Sequence, residues 1–346
     1  MQQSSSKARI EYIDLAKGIC ILLVVLDHIS NEGYFSAGNY PLNEVFDQMR
    51  MPLYFILSGL FFKDYAGGFR EFLLRKVNRI LIPYLFFITL YRIVPWLIQR
   101  FTSLSTIYED TSDAWGPLWF LRCLFFMNVI FALAYYLIRR VFPSNTLTQD
   151  LLLGSCMLGI GIAGYYSGNL HVNFGTAMTC MPLFWSGYFL NRKLHLLQRR
   201  IPWWLALSSA IVLFAVLHYL YVGENFFYCN DYNSPLPLLY FSGFFGTFAV
   251  LMLSRVIKWL PIISYIGRYS IIVLCTHMGV MMGVIAALNL LPGDWDEVGT
   301  LQSLTVLALT IAICMFLCWL LSKYLPWFTA QKDLIRVTGK QDTHAG

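Results

Sequence analysis

Long apolar runs separated by short polar intervals set the pattern of this 346-residue chain. A helix that crosses a hydrocarbon core needs about 20 mostly apolar residues. On that measure about ten spans are predicted, near residues 12–30, 45–62, 80–98, 115–138, 149–166, 174–190, 202–222, 234–254, 263–290 and 301–325. The runs are continuously apolar rather than alternating, which argues against a membrane β-barrel. The predicted class is therefore all-α integral membrane, a polytopic bundle of about ten transmembrane helices. Residues 1–330 form its single transmembrane domain and 331–346 a cytoplasmic C-terminal tail. The intervals between spans are too short for a second soluble domain.

Composition agrees with this reading. Hydrophobic residues make up 58% and charged residues 13%, with a mean hydropathy of +0.58. A soluble domain is nearer half apolar and a quarter charged. Most of the 25 Lys and Arg residues fall in the two tails and in alternate loops, whereas the opposite loops are acidic. The positive-inside rule then places both termini in the cytoplasm and predicts an even number of spans. The net charge of +6 follows from that topology and calls for no nucleic-acid partner. The expected location is the bacterial inner (cytoplasmic) membrane, with lipid as the surrounding partner. Seven of the eight cysteines lie in predicted spans and Cys229 in an outer loop, so no disulfide framework is implied. Residues 19–26 resemble a signal-peptide core, but Lys17 and Asp27 flank them and no small-residue cleavage site follows, so the run reads as a permanent span.

Two local patterns stand out. Met51-Pro52-Leu53-Tyr54-Phe55 with Ser58-Gly59 is faintly echoed by Met181-Pro182-Leu183-Phe184-Trp185 with Ser186-Gly187. Residues 63–79 are basic and partly amphipathic, with Phe69, Phe72, Leu73 and Val77 at roughly helical spacing. That segment is expected to lie along the inner membrane surface, where attraction to anionic lipid is its plainest use.

The first span carries charge. Lys17 and His28 are 11 residues apart, about 20° past three full turns, so they share one face at opposite ends of about 16 Å of helix. Asp14 lies on the same stripe, three residues before Lys17. A charge at membrane depth costs about 2.5–3.5 kcal/mol even on the lenient insertion scale, so an intramembrane functional site is the default reading. The plainer account has Lys17 snorkelling to the surface and His28 bonded to a neighbouring helix. Further polar residues gather in the first four spans: Asp27, Asp47 and Arg50 three apart, Arg92, and Arg122 one turn from Trp119. Asp47 with Arg50 reads equally as a plain ion pair, and Arg122 by Trp119 as a cation–π contact. Among the later spans, His277 is one of few polar groups.

Asp14-Leu15-Ala16-Lys17-Gly18 leading to His28 resembles the first-helix signature of acyltransferase family 3. Four further blocks follow in the family's order. Residues 51–59 are similar to its MPLFFFLSG-type helix. Arg75-Lys76-Val77-Asn78-Arg79 with Ile82-Pro83-Tyr84 resembles its basic inner loop. Leu118-Trp119-Phe120-Leu121 resembles its LWFL block, and Ile266-Gly267-Arg268-Tyr269-Ser270 to His277 its late glycine-serine-histidine helix. The GPLWFL and MPLYFILSGLFF forms are similar to the fucose-4-O-acetylase-like branch. The family commonly has arginine where this chain has Lys17, so the charge is kept and the bidentate fork is not. The extracytoplasmic hydrolase-like domain appended in some members is not expected here.

The resemblance implies an integral-membrane O-acyltransferase, most simply an O-acetyltransferase. It would move an acyl group from cytoplasmic acetyl-CoA or another acyl-CoA to a hydroxyl of a sugar, lipid-linked glycan or polysaccharide. No metal is expected. A histidine suits removal of the hydroxyl proton near neutral pH, which makes His28 the expected base, with an acyl-histidine intermediate as the variant. Lys17 would assist at the donor end, and Arg75, Lys76 and Arg79 would hold the CoA phosphates. Asp14, Asp27, Asp47, Arg50, Trp119, Arg122 and His277 are the expected acceptor contacts. Two other classes stay open at this point: a secondary transporter of a glycan or other anionic solute, against which stands the lack of paired broken helices, and a structural subunit of a polysaccharide-assembly complex.

Overall fold

The computed structural model describes residues 10–31, 43–101, 116–143, 146–196, 200–290 and 300–337. The protein is an all-α membrane protein. Its helices are α1 (Glu11–Asn31), α2 (Asn43–Leu60), α3 (Gly68–Lys76), α4 (Ile82–Phe101), α5 (Trp119–Val141), α6 (Thr146–Tyr166), α7 (Phe174–Thr179), α8 (Met181–Arg192), α9 (Trp203–Tyr219), α10 (Leu236–Ile257), α11 (Pro261–Arg268), α12 (Ser270–Leu288) and α13 (Thr300–Tyr324). Six stretches among the described residues are long and apolar enough to cross a membrane: Gly68–Val94, Trp119–Val141, Thr146–Tyr166, Leu236–Ile257, Ser270–Leu288 and Leu301–Tyr324. Charge keeps α1 and α2 out of that set, and α9 falls out on length. On α6 and α13 large apolar side chains point away from the bundle, Leu151 being 62% and Leu301 75% exposed. Such faces are stable against lipid, not water.

The structure departs from the apolar pattern in three places. The run 174–190 is broken at Cys180 into α7 and α8, where Pro182 at the start of α8 has no N–H to continue the ladder. The run 263–290 is broken at Tyr269 into α11 and α12. The basic segment is not a separate surface helix: α3 passes through a π-helix (Val77–Leu81) straight into α4. From Gly68 to Phe101 the helix extends about 50 Å at the ordinary rise, well beyond a hydrocarbon core of about 30 Å, so its basic first turns stand clear of it.

Two close helix pairs place α1 and α2. A Cβ added to Gly59 would lie 1.8 Å from the Phe184 carbonyl oxygen, and one on Gly187 would lie 1.9 Å from that of Ile56. The two echoing sequence blocks are thus packing partners, α2 against α8. The same device joins α1 to α11: a Cβ on Gly18 would lie 1.9 Å from Ile263 O, and one on Gly267 1.9 Å from Asp14 O. Small residues let backbones approach this closely, and here Cα–H groups face carbonyls across both interfaces.

A two-residue hairpin, β1 (Asn225–Phe226) with β2 (Asp231–Tyr232), lies between α9 and α10. Its Phe227 is buried against Phe55 of α2 at 6.4 Å. At the other end of the bundle the segment after α13 folds back over α3 and α4. Phe328 stacks on Phe86 at 4.8 Å. The buried Asn78 amide donates to Ile335 O (2.9 Å) and accepts from the Leu334 and Ile335 N–H groups (3.0 and 2.8 Å).

Candidate functional site

The polar stripe of α1 faces the seam between α2 and α12. Near its N-terminal end the Tyr54 hydroxyl of α2 donates to Lys17 O (3.1 Å), and Ser270 of α12 lies beside that hydroxyl. The Lys17 ammonium stands 5.4 Å from the centre of the Phe61 ring. Asp14 belongs to the tight α1–α11 contact, where its carbonyl meets Gly267. Toward the far end, Asp27 and His28 diverge to different neighbours, as a step of about 100° requires.

Asp27 turns to α2. Its Oδ1 is 2.6 Å from Arg50 Nη1, and Arg50 Nη2 is 2.8 Å from Asp47 Oδ1. Asp47 Oδ2 accepts the Asn225 N–H of the hairpin at 3.0 Å. The i,i+3 pair read from the sequence is therefore one half of a three-charge cluster that crosses between helices. Asp47 and Arg50 are buried and Asp27 is half-buried. A buried cation paired with two carboxylates is tolerable because each charge has an opposite partner, and Asp47 is bonded further to the hairpin.

His28 turns to α12. Its ring centroid is 5.2 Å from that of His277, with the planes 36° apart. His28 is half-buried and His277 fully buried. His277 Nδ1 lies 2.9 Å from Val273 O. Sequence spacing placed Lys17 with His28; it held no sign that residues 28 and 277 meet.

Trp119 and Arg122 of α5 form a second group. The Trp119 ring meets Phe120 edge-on (5.9 Å), and Phe120 packs on Tyr54 (5.5 Å) and Phe55 (5.3 Å). Arg122 does not stack on Trp119. Its guanidinium donates to Asn173 Oδ1 (Nε at 3.2 Å), and Asn173 Nδ2 donates to Tyr228 O (2.5 Å). Asn173 presents its side chain this way because its backbone is left-handed, φ 59°, just before α7. The hairpin thus ties the two groups together: Asn225 holds Asp47, and Tyr228 holds Asn173. Arg92 of α4 is exposed.

The basic residues expected at the donor end do not converge on one open site. Arg75 pairs with the buried Glu71 (2.7 Å) and lies over Tyr65 (4.6 Å). Lys76 lies over Phe72 (5.2 Å). Arg79 donates to Ala330 O and pairs with Asp333 (3.2 Å) in the segment after α13. All eight cysteines are free.

Sequence reading missed Tyr54, Asn78, Asn173 and Asn225. Tyr54 is one tyrosine among 21 and Asn225 sits in a short loop, so neither had a distinguishing pattern. Asn78 is the uncharged polar residue of RKVNR, and that contrast was a usable sign. Asn173 precedes Phe174-Gly175 at a helix start, where a left-handed asparagine is common.

A family described as an acyltransferase domain matches residues 10–323, nearly the whole chain. No curated protein and no solved structure matches it.

Proposed function

This chain belongs to acyltransferase family 3, and from that premise we propose an O-acetyltransferase that uses cytoplasmic acetyl-CoA and acts on a hydroxyl of a sugar or envelope polysaccharide. That it is a membrane acyltransferase follows from the family. The donor, the acetyl group and the glycan acceptor are our reading.

The observation that carries it is the placement of His28. It is a half-buried imidazole on the same helical face as Lys17, at the seam of three helices, with the Asp27–Arg50–Asp47 cluster at its side. Attack of a hydroxyl on a thioester requires removal of the hydroxyl proton as the new C–O bond forms, and an imidazole does this near neutral pH. In our reading the Lys17 end of α1 is cytoplasmic, both termini are too, and about ten helices cross the bilayer of an inner membrane. Arg75, Lys76 and Arg79 then meet the CoA phosphates by exchanging the Glu71 and Asp333 carboxylates for phosphate oxygens. The Trp119 face and the Arg122 and Asp47–Arg50 groups are suited to stacking on and bonding a sugar ring.

The transporter alternative gains nothing from the two broken helices. Both lie in the second half of the chain, so they are not counterparts in two repeats.

Two measurements test the proposal. Purified protein should transfer label from acetyl-CoA to an acceptor, and His28→Ala should abolish it; full transfer by the variant removes His28 from the mechanism. Glycan mass spectrometry of a strain lacking the protein should show one polysaccharide without an acetyl-sized increment. Unchanged glycans would remove the acceptor class.

A further inference from the structure

His277 is fully buried in α12, and one of its nitrogens is already committed. Nδ1 lies 2.9 Å from the carbonyl oxygen of Val273, one turn back in the same helix. A carbonyl only accepts, so in the neutral ring Nδ1 carries the hydrogen and Nε2 carries a lone pair. That Nε2 is buried and has no hydrogen-bond partner among the described residues. Leaving such an atom unsatisfied costs about 1–3 kcal/mol, so it calls for an explanation. The polar ring in front of it is His28, at a separation that a nitrogen on each ring can close to hydrogen-bond range.

The turn that carries His277 is held from outside α12. The Tyr91 hydroxyl of α4 donates to Cys275 O (2.9 Å) and accepts from Gly279 N–H (3.4 Å), two residues to either side of His277. A side chain inserted into the backbone ladder at that level fixes the rotation of the helix locally.

We propose that His277 is a positioning residue for acyl transfer, its Nε2 accepting the N–H of His28 and so leaving the other His28 nitrogen free to take a proton. This replaces the acceptor contact expected for His277, whose ring is sealed behind His28. It rests on the reading of His28 as base. In the step itself the acceptor O–H breaks and its proton passes to the free nitrogen of His28. The hydroxyl oxygen bonds to the thioester carbon, the C–S bond breaks, and the departing thiolate takes the proton from His28. An ester and a free thiol remain, and His277 gains and loses no proton. Its lone pair holds the His28 N–H throughout, steadying the imidazolium that forms between the two transfers.

The decisive comparison is His277→Gln against His277→Met in the purified full-length protein with acetyl-CoA. The two side chains are of similar length, but only glutamine carries an oxygen that can accept from His28. His277→Met should lower kcat by about tenfold or more while the KM for acetyl-CoA stays within about twofold, and His277→Gln should restore most of the loss. Equal kcat in the two variants, whether both fall or both match the parent, overturns the inference, because packing alone then accounts for His277. Thermal midpoints separate the structural case further: His277→Met and His277→Gln should melt alike, so that a difference in kcat between them is not a difference in folding. His28→Ala, assayed alongside, distinguishes the two levels. If it keeps full activity, the base assignment fails and takes this inference with it. If it is inactive while His277→Met matches the parent, only the inference fails.

Discussion

Arg50 of α2 reaches across to Asp27 of α1 at 2.6 Å, so the helix that carries the candidate base is joined to α2 by a charge pair with little access to solvent. The same guanidinium also holds Asp47. Removing the cation leaves two neighbouring carboxylates without a partner, which for a buried pair costs about 3–5 kcal/mol. Arg50→Met should therefore lower the thermal midpoint in detergent markedly. Adding Asp27→Asn and Asp47→Asn to that variant should recover part of the loss, and the coupling is read from a mutant cycle. An Arg50→Met midpoint equal to that of the parent would show that the cluster does not hold α1 to α2.

A second prediction concerns the glycine contacts. Val at Gly59 or Gly18 places a Cβ less than 2 Å from a backbone oxygen of α8 or α11, and no side-chain rotation relieves a backbone clash. Either variant should be destabilised by more than the roughly 1–3 kcal/mol of ordinary overpacking. Gly159→Ala is the control, because nothing lies within 4 Å of the added Cβ. The monodisperse yield after detergent extraction is the measurement. Equal recovery of Gly59→Val and Gly159→Ala would mean the helices separate at little cost.

Hydrophobic run length located the helices because lipid makes the same demand of every span. Among the described residues each predicted run is occupied by helix, and Lys17 and His28 of α1 each meet an aromatic ring, Phe61 and His277. What run length could not reveal is where a helix breaks. Cys180 and Tyr269 interrupt apolar runs whose length is that of a continuous span, with Pro182 just after the first break and Gly267-Arg268 just before the second. Nor could it reveal pairing across the chain. His28 and His277 meet only because Gly18 and Gly267 bring α1 and α11 into contact, and α12 follows α11. The echo between 51–59 and 181–187 was visible, but its meaning was not: it marks two surfaces that pack on each other.

Lys17 lies about one turn after Asp14 in α1. Its ammonium lies over Phe61 and its carbonyl is held by Tyr54, and a guanidinium can lie over the same ring with the charge kept. Lys17→Arg should keep activity within about tenfold, and Lys17→Leu should lose about a hundredfold or more, a difference of about 1.4 kcal/mol or more in transition-state stabilisation. Radiolabel transfer from acetyl-CoA measures both. Full activity in Lys17→Leu would leave Lys17 with an anchoring role only.

Asn78→Ala deletes three hydrogen bonds to the segment around Ile335 and leaves two backbone N–H groups unmet. The loss should be local: limited proteolysis should cleave residues 325–337 faster, while the global thermal midpoint moves by no more than about 1–3 kcal/mol equivalent. Unchanged cleavage would show that Phe328 on Phe86 suffices to hold the segment.

The distance in sequence between Asn78 and Ile335, 257 residues, has a consequence for biosynthesis. Asn78 leaves the ribosome early, and its buried amide must wait for nearly all the remaining helices to be inserted before its partners exist. A nascent chain that stalls short of residue 335 leaves that amide open, and the unmet hydrogen bonds distinguish an unfinished bundle from a finished one. The clasp therefore closes only after α13 has been made.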